Sequence, residues 1–122
     1  MRLKEPRVPP VPASEWTKEQ QEILAPMLRG EGVGGQAANV FATLVAYPKL
    51  MKRWIVFANH CLFKSSLPPR EREIVILRTA WQAQSGYEWG QHLVIGRQAG
   101  LADDEMAALK EAPDAHAWTE AE

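Results

Sequence analysis

The sequence is poor in the residues from which metal- and disulfide-built proteins are made. A single cysteine, Cys61, stands among 122 residues, which excludes an internal disulfide framework and a cysteine-rich zinc site. An excess of charge of either sign is also missing: 14 Lys and Arg nearly balance 15 Asp and Glu, for a formal net charge of -1. That balance removes the electrostatic case for binding nucleic acid or an anionic membrane. There is no long hydrophobic run. The longest stretch without charge, residues 32–48, is interrupted by Gly, Gln and Asn and is too short to span a bilayer. Residues 1–12 carry four prolines and no apolar core, unlike a secretory signal. Alternation of strand length is absent, as is any internal repeat. What is there is a chain with 46% hydrophobic and 24% charged residues, the usage of a globular domain. At this size folding buries about 67% of the extended chain's surface. A soluble, cytoplasmic protein with no nucleic-acid and no membrane partner is the expectation.

Proline, glycine and capping residues divide the chain into helices. Residues 1–13 read as an extended arm, because Pro6, Pro9, Pro10 and Pro12 lack backbone donors and favour polyproline geometry. Residues 14–122 read as one helical domain. Ser14 can cap a first helix that carries Trp16, Gln20, Ile23, Leu24 and Met27 at helical spacing, with Pro26 ending or kinking it. Gly30, Gly32, Gly34 and Gly35 predict a flexible connection or flap, and without a following Gly-Lys-Ser/Thr they are no phosphate loop. Asn39 caps a short helix over residues 40–47, stopped by Pro48, which itself opens the next. In that helix Leu50, Trp54, Phe57, Ala58 and Cys61 form one stripe predicted to face the core. Cys61 is then a small buried hydrophobe, and His60 lies inside or at an interface. Residues 68–85 and 87–99 predict two antiparallel helices joined at Gly86, the first apolar around much of its circumference and therefore central. Gly100 closes the second, and Asp103 caps a last helix from residue 104 to about 111. The class is all-α.

Chemistry concentrates between residues 67 and 106. Glu88 and His92, four apart on one helix, project from the same face. A carboxylate beside an imidazole fixes which ring nitrogen carries the proton, as acid–base catalysis requires. Trp81, Tyr87 and Trp89 can wall such a pair off from water and strengthen it. The same spacing also suits an ordinary surface pair, so spacing alone assigns no site. No third ligand stands at metal-binding spacing from Glu88 and His92, and neither a metal nor another cofactor is expected. His116 lies in a polar tail and carries no assignment.

Three runs give the chain a family resemblance: Leu67-Pro-Pro-Arg-Glu-Arg-Glu-Ile-Val-Ile-Leu-Arg-Thr-Ala-Trp, Ser85-Gly-Tyr-Glu-Trp-Gly-Gln-His and Arg97-Gln-Ala-Gly-Leu-Ala-Asp-Asp-Glu-Met. Together they resemble the carboxymuconolactone decarboxylase family, as do Asn39-Val-Phe-Ala-Thr-Leu-Val-Ala-Tyr-Pro and Arg53-Trp upstream. The resemblance implies an alkylhydroperoxidase D-like (AhpD-like) helical bundle with antiparallel helices, assembled as a homo-oligomer, a trimer or hexamer. In the redox branch of that superfamily, Cys-x-x-Cys-x-x-x-His works with a glutamate on the preceding helix. Laid on this chain, the histidine is His92, the upstream glutamate is Glu73, and the two cysteine positions hold Ser85 and Glu88. Neither forms a thiolate or a disulfide, which closes that peroxidase route. The decarboxylase branch resembles Glu-x-x-x-His, which Glu88 and His92 supply. Relatives usually continue with further helices beyond the position of Trp118. The chain is therefore expected to be C-terminally short, with apolar faces covered by other subunits.

The implied activity is a cofactor-free lyase acting on a small carboxylated lactone or related unsaturated acid. His92 is expected as general acid, Glu88 as its orienting partner or proton shuttle, and Glu73 as a second relay group. Arg72, Arg78 or Arg97 would hold the substrate carboxylate through a guanidinium fork, with Tyr87 and Trp81 beside the substrate. Two alternatives come from other classes. One is an alkylhydroperoxidase D-like antioxidant protein, disfavoured by the missing cysteine pair, and the other is a non-catalytic helical oligomer subunit.

Overall fold

A computed structural model describes residues 4–28, 38–120 and 122, and among them every regular element is a helix. The glycine-rich segment expected to form a flap, residues 30–35, lies outside the described residues. The chain groups into two compact units, Met1–Phe63 and Lys64–Glu122.

The first unit contains a 3-10 turn, Ala13–Glu15, and helices α1 (Lys18–Leu28), α2 (Asn39–Leu44) and α3 (Pro48–Phe63). Thr17 rather than Ser14 caps α1. Its Oγ1 accepts from the Gln20 amide at 3.3 Å, while Gln20 Oε1 accepts from the Thr17 amide at 2.9 Å. This reciprocal pair satisfies donors that a helix start leaves open, whereas Ser14 falls in the 3-10 turn. Pro26 lies inside α1 instead of ending it; only the carbonyl four residues back loses its intrahelical donor. Asn39 is the first residue of α2, with Ala38 at the cap position and no side-chain cap bond. The proline-rich arm is tied down at its end: the Trp16 indole donates to the Val11 carbonyl at 2.9 Å, and the Val11 amide donates to the Ala42 carbonyl at 2.9 Å.

Leu24, Val45 and Met51 are fully buried in this unit, with Trp16, Phe41 and Trp54 packed around them. The buried face of α3 is rotated from the expected one. Met51 and Ala58 are buried and Trp54 and Ile55 half-buried, while Leu50, Phe57, His60 and Cys61 are exposed. Each residue advances about 100° around a helix, so Met51, Ile55, Ala58 and Leu62 form a stripe as regular as the one through Leu50. Periodicity alone could not choose between the two.

The second unit contains α4 (Pro69–Gln82), α5 (Gly86–Gln98), α6 (Asp103–Ala108) and a 3-10 turn, Pro113–Ala115. Pro69 opens α4 at a position where its missing amide hydrogen costs nothing. Trp81, late in α4, meets Trp89, early in α5, and Glu73, earlier in α4, meets His92 further along α5. That order makes the two helices antiparallel neighbours.

The turn between α4 and α5 does not use Gly86. Gln84 adopts the left-handed φ of 55°. The Ser85 amide returns to the Ala80 carbonyl and the Gln84 amide to the Trp81 carbonyl, the paired bonds of a Schellman cap. Ser85 then caps α5, its Oγ accepting from the Glu88 amide at 3.4 Å, so Gly86 is the first helical residue. Gly100, at φ 91°, closes α5 through the same pairing, with the Leu101 amide on the Gly96 carbonyl. Asp103 is not the cap of α6 but its first residue, and its carboxylate accepts from Arg97 Nε at 2.7 Å. The open amide at Ala102 is satisfied by Glu105 Oε2 instead, at 2.8 Å.

Ile74, Leu77, Leu101, Met106 and Leu109 form the core of this unit, with Trp89, Leu93 and Trp118 against them. Full burial of each large side chain contributes roughly 1.5–3 kcal/mol. α4 is buried along one face only, since Val75 and Trp81 are exposed; the apolar circumference did not mean a fully covered helix. Arg70 fastens the unit's ends together. Its guanidinium reaches both oxygens of Glu105, the Gly100 carbonyl at 2.9 Å and Glu122 at 2.6 Å. Among the described residues no helix is long and apolar enough to cross a membrane.

Candidate functional site

Among the described residues, Glu73 is the only polar or charged residue that is buried, at 1% exposure. A carboxylate so placed needs partners, because burial without hydrogen bonds costs several kcal/mol. It has two. Arg72 Nε donates to Oε1 at 3.0 Å, and His92 Nδ1 lies 2.6 Å from Oε2. Burial pushes the Glu73 carboxyl upward, but the hydrogen bonds from His92 and Arg72 outweigh it and hold the carboxyl below its ordinary value. An ionised carboxylate only accepts, so the proton of the short contact belongs to Nδ1 of His92. This leaves Nε2 as the ring's working nitrogen.

On that side stands Glu88. Its Oε2 is 3.6 Å from His92 Nε2, and its side chain is 43% exposed against 13% for His92. The separation exceeds a hydrogen bond. Carboxylate, imidazole and carboxylate thus run from the buried α4–α5 seam to the surface. The local sequence sets this up. Ser85 fixes the start of α5, which places Glu88 in the first turn, where the helix dipole favours an anion. His92 follows one turn later on the same face.

The structure therefore brings Glu73, Glu88 and His92 together, with Arg72 as a second donor to Glu73. Sequence reasoning gave Arg72 only to substrate. Neighbouring helix residues diverge by about 100°, so no spacing signal announces a 72–73 pair. The remaining expected residues stand elsewhere. Arg78 directs Nη1 to the Leu109 carbonyl at 2.7 Å and to the Glu111 carbonyl, and Arg97 pairs with Asp103. Trp81 packs on Trp89 with ring centroids 5.6 Å apart, and the Lys110 ammonium sits 5.4 and 5.1 Å from the two rings, a cation–π arrangement. Tyr87, the second residue of α5, is 37% exposed. A cleft of about 300 Å³ opens between α4, α6 and the C-terminal segment, but Glu73, Glu88 and His92 are not on its wall. Among the described residues no three His, Cys, Asp or Glu side chains are grouped to hold a metal ion.

Comparison with curated proteins and with solved structures gave no significant match. Residues 48–122 match the profile of the carboxymuconolactone decarboxylase family. The matched span holds α3 to α6 and every member of the Glu73–His92–Glu88 cluster. It covers more than half of the sequence, and the chain belongs to the carboxymuconolactone decarboxylase family.

Proposed function

We propose that the chain is a cofactor-free carboxy-lyase acting on a small carboxylated lactone or related unsaturated acid. The observation that carries this reading is the His92 imidazole held between a buried and an exposed carboxylate, within the span of the family match. In the reaction the substrate carboxylate leaves as carbon dioxide. The electron pair of the broken C–C bond moves into the conjugated ring carbonyl, giving a dienolate. His92, protonated on both nitrogens, delivers the Nε2 proton to carbon, so the product carries hydrogen where the carboxylate stood. Glu73 remains ionised and accepts from Nδ1–H, holding the ring in place during the transfer. Glu88, reached by solvent, then returns a proton from water to Nε2. Arg72, bonded to Glu73 beside the relay, is the guanidinium assigned in this reading to the substrate anion. Acid–base assistance of this kind is worth about 10²–10⁴ in rate.

Self-association as a trimer or hexamer belongs to the same reading, because Leu50 and Phe57, on one side of α3, are both exposed and exposed apolar surface calls for cover. The test is carbon dioxide release from carboxymuconolactone by the full chain. Turnover that falls about 10²–10⁴-fold in His92→Ala, with Cys61→Ser unaffected, supports the lyase. A wild-type protein without turnover, or His92→Ala with full turnover, rejects it. Inactive protein that still self-associates would point to the oligomer-subunit alternative.

A further inference from the structure

The cleft between α4, α6 and the C-terminal segment contains a half-buried cation that has no counter-charge among the described residues. The other three arginines of this unit each meet a carboxylate: Arg70 with Glu105 and Glu122, Arg72 with Glu73, Arg97 with Asp103. Among the described residues Arg78 meets backbone carbonyls only, those of Leu109 and Glu111, both through Nη1. Two bonds to one nitrogen hold the guanidinium plane in place and leave its Nε and Nη2 edge without a protein acceptor among the described residues. Such an edge matches a carboxylate through two parallel hydrogen bonds. The two acidic residues on the cleft wall do not serve it. Glu122 is engaged by Arg70 and by Thr119, and Glu111 is exposed and bonds Arg78 through its carbonyl.

The rest of the wall is largely apolar, formed by Ile74, Val75, Leu109, Pro113 and Trp118. A volume of about 300 Å³ is at the lower end of small-molecule sites. We propose that this cleft is a binding site for a small apolar monocarboxylic acid, an aryl or short alkyl acid. Its carboxylate pairs with the Nε–Nη2 edge of Arg78, and its hydrocarbon part lies on Trp118, Ile74 and Val75. A second carboxylate on the ligand would face Glu111 and Glu122, which restricts the class to monoacids. The site is separate from the Glu73–His92–Glu88 relay and does not depend on the lyase reading.

The experiment is a heteronuclear NMR titration of the full chain with phenylacetate, using methyl phenylacetate as the uncharged control. Saturable shifts of the Trp118 indole N–H and the Arg78 Nε–H are expected, with the ester binding at least tenfold more weakly. Ala108→Leu, which fills the cleft from α6, removes the saturable shifts while keeping a folded spectrum, and Arg78→Gln weakens the acid about tenfold. If Arg78→Gln loses its fold, the acid–ester comparison on the wild-type protein decides alone. Absence of saturable shifts at those two groups, equal affinity for acid and ester, or shifts confined to His92 would overturn the proposal.

Discussion

Glu73 and His92 meet at 2.6 Å across the α4–α5 seam, both nearly removed from solvent, and the buried carboxylate dictates which ring nitrogen holds the proton. Glu73→Gln tests this relationship directly. Arg72 can only donate, so it draws the glutamine oxygen and turns the amide NH2 toward His92. Nδ1 must then accept, and the imidazole changes to the Nε2–H tautomer. Nitrogen-15 shifts of His92 should show the exchange. Turnover by the proposed lyase should fall about 10²–10⁴-fold, because the ring loses the carboxylate partner that fixes Nδ1 as its donor. An unchanged Nδ1–H tautomer would mean that Glu73 does not set the ring.

The Arg70 clasp predicts the acid limb of stability. Hydrogen bonding from Arg70, and from the Ala102 amide, lowers the Glu105 carboxyl from 4.5 to about 2. A folded-state value below the unfolded one contributes stability that is fully present above about 4.5 and lost as pH falls from there through about 2. Glu73, also lowered, acts with the same sign. Urea midpoints of wild type and Arg70→Gln should therefore differ by a constant amount above about pH 5 and converge toward pH 2. A gap that persists unchanged at pH 2 would show that Arg70 works through packing alone.

Gln84 is the one non-glycine residue described with a positive φ, at 55°. Left-handed backbone crowds any Cβ, and glycine takes it without that penalty. The paired cap bonds to Ala80 and Trp81 use main-chain atoms and survive the substitution. Gln84→Gly should raise unfolding stability by about 0.5–1 kcal/mol, net of the extra freedom glycine gains in the unfolded chain. Denaturant unfolding measures it, and a lower midpoint would exclude strain at this turn.

These residues also show how much the sequence disclosed. The helical class, the antiparallel pair, the closing role of Gly100 and the grouping of Glu88 with His92 all follow from period and punctuation, which are local properties. Which glycine or polar residue ends each helix was less legible. Gly86 looked like the better stop, yet Ser85 competes for the same turn as an N-cap, and its bond to the Glu88 amide moves the break onto Gln84. Rotation of a helix is a tertiary choice, and α3 shows it: Leu50 and Met51 head equally good stripes, and only packing against Leu24 and Val45 selects Met51. Cys61 is exposed for that reason. The reach of Glu73 to His92 came from family resemblance, since nineteen residues of separation carry no periodic signal. The Arg72 donor was invisible because it depends on where a long side chain bends.

Gly96 offers the last prediction, and it links core packing to the relay. It lies in α5 one turn beyond His92, where a Cβ would stand 3.3 Å from Leu77 Cδ1, from Leu101 Cδ1 and from Met106 Sδ. All three neighbours are fully buried or nearly so, and a close-packed interior transmits any shift of one to the others. Gly96→Val should cost about 1–3 kcal/mol by overpacking, more than the few tenths that valine gains over glycine in helix propensity. α5 should also shift off α4, lengthening the Glu73–His92 contact and weakening the Nδ1–H signal of His92. Gly90→Ala is the control within the same helix. Nothing lies within 4 Å of a Cβ there, so it should stabilise by about 0.5–1 kcal/mol and leave the His92 signal in place. If Gly96→Val matches Gly90→Ala in urea midpoint and in the His92 spectrum, close approach at Gly96 is not what seats the imidazole on Glu73.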